Sequence, residues 1–464
     1  MTDLICDVAV IGAGTAGLAA ERHARRNGAR TLLIDPAFAG TTCATVGCMP
    51  SKLLIAAADS AHGVAGAAEL GVPARGRVDG PAVMARLRRL RDDFAGGVRQ
   101  SIADLPRGVC VTGRARFAGP GRLELDTGDS VRARAVVVAT GSAPSLPAPF
   151  RSVADRVLQN ADLFDLPDLP ASVGVIGVGP IGLELAQALS RLGVEVAVYD
   201  AADRLAGLPD ETGRALAALL RREVPIHLEV APEVRAVDGG VAVDTGQGER
   251  VFERLLVATG RPPALDGLDL GRAGIALDDD GVPLFDPATM QCGTSPVFVA
   301  GDATATRPLL HEATDEGTIA GRNAACWPDV DRSARKVPMA VTFTRPSSAV
   351  IGAAPDDTMA TGRADYGDQG RARVQDTPGG LLRVHARRSD GQLTGADLCI
   401  PGGEHIAHLL AWAIQSGMTV DQALSMPFYH PTLEEGLRTA LQDLCRALDR
   451  PAHWSFDDAP PPGR

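Results

Sequence analysis

Ile5-Cys-Asp-Val-Ala-Val-Ile-Gly-Ala-Gly-Thr-Ala-Gly17 reads as a buried strand, Ile5 to Ile11, that turns through Gly12-Ala-Gly-Thr-Ala-Gly17 into a helix reaching toward Gly28. A second strand, Thr31 to Ile34, ends at Asp35. This is a complete dinucleotide fingerprint. The glycines let the backbone approach a pyrophosphate at the helix N-terminus, and an acid about twenty residues later can bond a ribose hydroxyl. A lone Gly-x-Gly-x-x-Gly is weak; here strand, helix and acid stand in their places around it.

The pattern recurs. Ser172 to Ile176 leads into Gly177-Val-Gly-Pro-Ile-Gly182, a helix runs to Leu192, and Val194 to Tyr199 closes at Asp200. Each copy also ends in a strand running into Ala-Thr-Gly, Val136 to Gly141 in the first and Leu255 to Gly260 in the second. A repeated motif with a repeated closing strand is an internal duplication. Two fingerprints imply two bound nucleotides.

Just downstream of the first fingerprint lies Gly40-Thr-Thr-Cys-Ala-Thr-Val-Gly-Cys-Met-Pro-Ser-Lys52, with Cys43 and Cys48 five positions apart. Along an undistorted helix such residues are separated by about 7.5 Å, beyond the roughly 4.4–6.8 Å between Cα atoms that a disulfide spans. If they bond, the helix start must be distorted. A disulfide in such a bend is readily reduced, and a neighbouring helix N-terminus favours a reactive thiolate. The alternatives are two unrelated buried cysteines or half of a metal site. Metal ligation wants closer pairs such as Cys-x-x-Cys and a second pair elsewhere, which the chain lacks. Cys6, Cys110, Cys292, Cys326, Cys399 and Cys445 have no motif partners and read as core or incidental residues.

The 464 residues suffice for about three domains. A net charge of −11 gives no basic footprint for nucleic acid or an acidic membrane. No apolar run approaches a membrane span, and Asp3 and Asp7 stand where a signal peptide would be basic and then apolar. The expected location is a reducing cytoplasm, where eight scattered cysteines are not a structural disulfide framework. Proline-rich punctuation at Ala143 to Pro149 and Pro167 to Pro170 separates the nucleotide units, and Arg261-Pro-Pro263 marks the exit from the second. A third region from about Val341 holds strands within Leu382 to Ile400 and helical spacing in Glu404 to Gln415 and Leu433 to Leu448; the Asp457 to Arg464 tail reads as loose.

Taken together, these motifs resemble the pyridine nucleotide-disulfide oxidoreductases, and within them the dihydrolipoamide dehydrogenase branch. The resemblance spans nearly the whole chain: both fingerprints, the Cys-x4-Cys loop ending in Pro-Ser-Lys52, Val297-Phe-Val-Ala-Gly-Asp302, and His430-Pro-Thr-Leu-Glu-Glu435. It implies an α/β fold with two Rossmann-like, doubly wound dinucleotide-binding domains and an α+β C-terminal dimerisation domain. The implied boundaries are 1–150 for FAD, completed by about 270–340, then 151–269 for NAD(H) and 341–464 for the homodimer interface.

By the same resemblance, FAD is held by Gly12, Gly14, Gly17, Asp35, Thr42, Thr140, Gly141, Gly301 and Asp302, the last on the ribityl chain. NAD(H) falls to Gly177, Gly179, Gly182, Asp200 and Gly260. Asp200 favours NAD(H) over NADP(H) by repelling a 2′-phosphate, although Arg204 lies four residues on. Lys52 and Glu184 resemble the ion pair beside the flavin N5, where a cation stabilises reduced flavin. His430 matches the acid-base partner of the dithiol and Glu435 the carboxylate that sets its tautomer; His311 reads as structural. His23, His62, His227, His385, His405, His408 and His453 lack such context and read as surface or satisfied core residues. Cys48 is implied as the flavin-facing thiol and Cys43 as the interchange thiol.

The expected activity passes electrons between NAD(H), FAD, the Cys43–Cys48 pair and a dithiol or disulfide such as lipoamide, free or on a lipoyl carrier domain. Two departures bear on that substrate. Met426-Pro-Phe-Tyr-His430 lacks the second histidine common in the branch, and Ala44-Thr45 stands where asparagine is frequent. A specialised low-molecular-weight disulfide is therefore the rival. Glutathione disulfide is disfavoured because the chain shows no clear set of arginines in matching positions, and mercuric ion because it shows no extra C-terminal cysteine pair. A transhydrogenase would not need the two cysteines, and a nonenzymatic flavoprotein would tolerate losing them and His430.

Overall fold

The computed structural model describes residues 2–450; the Asp457 to Arg464 tail and His453 lie outside them. The chain forms two compact units. One comprises Met1–Leu53, Met84–Ser145 and Gly260–Arg335, the other Leu54–Val83, Leu146–Thr259 and Lys336–Arg464.

The chain begins with β1 (Asp3–Ile11), α1 (Thr15–Arg26) and β2 (Thr31–Asp35), followed by α2 (Thr42–Thr45), α3 (Cys48–Gly66) and α4 (Gly80–Ala103). The strands β3 (Cys110–Thr112), β4 (Ala115–Gly119), β5 (Arg122–Leu125) and β6 (Ser130–Val138) complete a sheet ordered β3-β2-β1-β6-β5-β4, with Val297–Val299 added beside β6. β1 pairs in parallel with β2 and β6, Val8 standing between Thr31 and Ala135. Alternation divides β1 between two cores. Val8 and Val10 join Leu33 and Val137 on one face, while Ala9 and Ile11 join Leu32, Ile34, Val136 and Val138 on the other. A strand buried on both faces reads as the continuous apolar run seen in the sequence.

The second unit repeats this plan. β7 (Val157–Leu158), α5 (Asn160–Asp165), β8 (Ser172–Ile176), α6 (Pro180–Arg191), β9 (Glu195–Tyr199), α7 (Asp210–Leu220) and β10 (Ile226–His227) lead to a parallel sheet ordered β10-β9-β8-β14-β7. Its β14 (Arg254–Val257) follows an antiparallel trio, β11 (Glu233–Val237), β12 (Gly240–Asp244) and β13 (Glu249–Phe252).

The chain then re-enters the first unit as β15 (Val297–Val299) and α8 (Leu310–Cys326). α8 lies against α1 through small residues. A Cβ on Gly317 would stand 2.2 Å from the Ala16 carbonyl oxygen, and one on Gly321 2.2 Å from that of Ala20.

The remaining strands, β16 (Met339–Thr342), β17 (Ser347–Gly352), β18 (Met359–Asp365), β19 (Leu381–Arg387) and β20 (Leu393–Ile400), form an antiparallel sheet ordered β16-β17-β20-β19-β18. The helices here are α9 (Gly370–Val374), α10 (Gly403–Gln415), α11 (Val420–Leu424) and α12 (Glu435–Ala447). Leu437, Ala440, Leu441, Leu444 and Cys445 recur at helical spacing on α12 and enter one core with Ile351, Tyr366, Leu382, Val384 and Leu398. No helix among the described residues is long and apolar enough to cross a membrane.

Because the obstacle at Gly317 is backbone, Gly317→Ala is expected to cost about 1–3 kcal/mol by overpacking, read as a lower urea midpoint. Gly63→Ala on α3, where an added Cβ meets nothing within 4 Å, should instead be neutral or stabilising by up to about 1 kcal/mol.

Candidate active site

The two glycine turns are built alike. Gly12 has φ +103° and a Cβ there would lie 2.4 Å from the Ala139 carbonyl oxygen; Gly177 has φ +117° and a Cβ 2.5 Å from that of Ala258. Gly17 and Gly182 press on the carbonyl oxygens of Gly12 and Gly177 in turn, whereas Gly14 and Gly179 face open space. The Ala13 N–H donates to Asp35 Oδ2 at 2.9 Å and the Val178 N–H to Asp200 Oδ2 at 2.8 Å. Each acid therefore closes its own turn as well as ending its strand. Asp35 Oδ1 accepts from Ala37 and Phe38, and Asp200 Oδ1 from Ala202, so a bound ribose would share carboxylates already fixed in place.

Behind the first turn, the Thr140 hydroxyl is buried with no hydrogen-bond partner, and Gly141 follows at φ +73°. Buried polar groups are rarely left so. Ser142 Oγ donates to Asp302 Oδ2 at 2.6 Å and receives Arg261 Nε at 3.3 Å. Gly301 (φ +72°) donates its N–H to Glu316 Oε2 at 2.8 Å. Burial holds Glu316 above the ordinary carboxylate range, against the pull of Arg335, whose Nη2 lies 2.8 Å from Oε1. An open glycine edge, a ribose-level acid and an orphaned hydroxyl fit a dinucleotide such as FAD. Thr42 is exposed on α2, and Gly260 takes φ +131°.

The cysteines straddle a break. Thr41 caps α2, accepting the Ala44 N–H on its side chain; the helix stops at Thr45, and α3 begins at Cys48 after Val46 and Gly47. Cys43 is half-buried and Cys48 exposed, both as thiols. Hydrogen bonding to Cys48, and burial after it, hold the Cys43 thiol well above the ordinary thiol range, while the Lys52 charge pulls the other way. Cys43 therefore needs a base. Cys48 sits at the positive end of a 19-residue helix.

In the second unit an imidazole is held by a carboxylate. His430 Nδ1 lies 3.0 and 3.1 Å from the two Glu435 oxygens, and Glu435 Oε2 also accepts the Thr432 N–H at 3.0 Å. With Nδ1 committed to a carboxylate, Nε2 is left to exchange a proton. The His430 side chain is 52% exposed, open to a partner from outside its loop. Glu184 is buried on α6, accepting the Phe343 N–H at 2.9 Å, and Lys52 is half-buried on α3. His311 is exposed in the first turn of α8, and His385 is a satisfied core residue between Thr361 and Asp397.

Residues that hold the His430 loop gave no sequence signal. Buried Tyr366 donates its hydroxyl to the Leu433 carbonyl at 2.8 Å, and Gln369 donates to that of Thr432 at 2.7 Å. Gly436 is glycine because a Cβ would lie 2.3 Å from the Tyr366 ring. Its position one residue after Glu435 was the only available hint.

Comparison with known proteins places these parts in one family. Residues 6–317 match the family described as pyridine nucleotide-disulphide oxidoreductase, and residues 338–441 match its dimerisation domain. A dihydrolipoyl dehydrogenase of Halobacterium salinarum is 31% identical over 461 residues, covering 94% of this chain and 95% of its own. A mercuric reductase of Streptomyces lividans is 31% identical, with 94% and 95% covered. The HOCl-induced flavoprotein disulfide reductase RclA of Escherichia coli, solved as a Cu(II) complex, shares the fold with a TM-score of 0.80 at 22% identity, over 94% of this chain and 99% of that one.

Tyr366→Phe is expected to loosen the His430 loop at a cost of about 1 kcal/mol. Gly436→Ala, which must displace the ring, should cost about 1–3 kcal/mol. Both should lower turnover of a small disulfide more than they lower FAD content; unchanged turnover in both would remove these residues from the site.

Proposed function

The chain belongs to the pyridine nucleotide-disulphide oxidoreductase family, and from that premise we propose that it is a dihydrolipoyl dehydrogenase. Its family activity is FAD-dependent NAD(P)H:disulfide oxidoreduction, and the matched dimerisation domain supports a homodimer. Within that frame the substrate is lipoamide, free or on a lipoyl carrier domain, and the setting a reducing cytoplasm. The observation that carries this reading is the His430–Glu435 pair, an exposed, carboxylate-oriented imidazole matched to a dithiol whose Cys43 thiol resists ionisation.

Residues 1–150, with about 270–340, are assigned to FAD, 151–269 to NAD(H) and 341–464 to the interface. When bound, FAD supplies the two-electron link between nicotinamide and disulfide. Gly12, Gly14, Gly17, Asp35, Thr42, Thr140, Gly141, Gly301 and Asp302 would hold it, and Lys52 and Glu184 would set the charge around it. In the reductive direction His430 takes the Cys43 proton, and the Cys43 thiolate attacks one sulfur of the substrate disulfide. The other sulfur leaves as a thiolate and takes its proton back from His430. The Cys48 thiolate then attacks Cys43 in the mixed disulfide, closing the Cys43–Cys48 bond and expelling the second substrate sulfur as a thiolate, which takes its proton from solvent. The oxidative direction reverses each step.

Tyr429 and Met426, exposed beside His430 where a second histidine is common in the branch, favour a specialised apolar disulfide as the second reading.

Cys48→Ser should retain FAD but lose disulfide turnover by orders of magnitude. Turnover of lipoamide well above that of glutathione disulfide is expected of the wild type, and the reverse order would overturn the substrate assignment. In the proposed homodimer His430 of one chain serves Cys43 and Cys48 of its partner, so dissociating and reassembling Cys48→Ser with His430→Ala should restore about one site in four. No recovery would place both residues in one chain.

For the nicotinamide, Gly177, Gly179, Gly182, Asp200 and Gly260 are assigned to NAD(H). Arg204 Nε lies 3.1 Å from Asp210 Oδ1, which holds it away from a 2′-phosphate role. NADH should therefore be preferred, and Asp210→Asn should raise the relative kcat/KM for NADPH by roughly fivefold, the scale of an exposed ion pair. An unchanged ratio would show that Arg204 has no part in the choice.

A further inference from the structure

On α6, Glu184, Gln187 and Arg191 are spaced i, i+3 and i+7, one face of a helix, and all three are buried and engaged. Gln187 clasps the Arg345 peptide from both sides, receiving its N–H at 2.7 Å and donating to its carbonyl at 2.8 Å. Arg191, with 7% of its side chain exposed, donates Nε and Nη2 to the two Glu223 oxygens at 2.6 and 2.8 Å. Its remaining arm, Nη1, reaches Asp59 Oδ1 on α3 at 2.8 Å. The other Asp59 oxygen receives Arg345 Nε at 3.1 Å, and Arg345 continues to Ser347 at 3.1 Å and Glu404 at 3.5 Å.

Asp59 is the acid by which α3 is tied to both arginines. Neither cation depends on it for charge balance. Glu223 alone forms a bidentate pair with Arg191 and stays ionised, its carboxyl held below the usual range because the Arg191 bonds outweigh burial. Glu404 and Ser347 serve Arg345. The Asp59 carboxylate thus fixes where α3 lies more than it neutralises buried charge.

The spacing along the helices gives that bond a consequence. Asp59 stands seven residues after Lys52 on α3, and Arg191 seven residues after Glu184 on α6, in each case two turns along the same face. We propose that Asp59 is a positioning residue of the redox relay: its bridge to Arg191 and Arg345 pins α3 and so fixes Lys52 and Cys48, which stand earlier on the same helix. This rests on the roles proposed above for Lys52 and Glu184. The lever is about 10 Å long, a seven-residue rise, and a shift of about 1 Å at a reacting group can cost on the order of a hundredfold in rate.

The test is a double-mutant cycle of Asp59→Asn and Glu184→Gln on the FAD-loaded protein, with Asp59→Glu alongside. The readouts are the anaerobic single-turnover rate of FAD reduction by NADH, the reduction potential of bound FAD, and the melting temperature. Asp59→Asn is expected to slow hydride transfer by about tenfold or more and to shift the potential, Asp59→Glu to recover part of both. In the Glu184→Gln background Asp59→Asn should add little, because both lesions act on one arrangement. Equal factors in the two backgrounds, or a lower melting temperature with rate and potential unchanged, would reduce Asp59 to a stabilising residue and overturn the proposal. A Glu184→Gln protein with wild-type rate and potential would instead overturn the reading of Lys52 and Glu184 on which it rests.

Discussion

Two sulfurs five residues apart cannot bond along an unbroken helix, and the protein resolves this by stopping α2 at Thr45 and restarting at Cys48. Gly47 makes the break possible. A Cβ there would lie 2.9 Å from the Thr42 carbonyl oxygen and 3.3 Å from the Cys43 Cα. The same break makes the two thiols unequal. Cys48 gains the positive end of α3, while Cys43 stays half-buried, hydrogen-bonded and reluctant to ionise. From that inequality follows the need for an external base, the role proposed for His430, which lies within the residues matched to the dimerisation domain.

The nucleotide turns show how local constraint becomes legible. In both, a carboxylate accepts the N–H of the residue 22 positions before it, the one that follows the first glycine. The acids were read as ribose ligands; the structure adds that they also brace the turns. Strands buried on both faces, such as β1, leave a continuous apolar run, and α12 leaves its spacing of apolar residues, so the elements could be placed from the sequence to within a few residues. β1 begins two residues earlier than read, because Asp3 and Leu4 extend the ladder along Ser130 and Val131 at an exposed edge.

Supporting residues were not legible. Tyr366 acts on a loop 67 residues away, Arg345 on a helix 286 residues away, and Glu316 on a glycine 15 residues before it; none belongs to a repeating local pattern. Such bonds are set by tertiary packing, where a tyrosine or arginine looks the same in sequence whether it braces a site or lines a surface. Motif residues were visible because backbone geometry demands them. Substrate choice is less visible still, since relatives equally similar to this chain carry the names dihydrolipoyl dehydrogenase and mercuric reductase.

The proposed relay requires Cys43 and Cys48 to alternate between disulfide and dithiol as electrons pass. Peptide-level mass spectrometry after iodoacetamide tests it directly, comparing the air-oxidised holoenzyme with the same protein reduced anaerobically by NADH alone. Of the eight cysteines, Cys43 and Cys48 should be linked before reduction and open to alkylation after it, the other six unchanged. If both carry the label equally before and after NADH, the pair takes no part in the relay and the account fails.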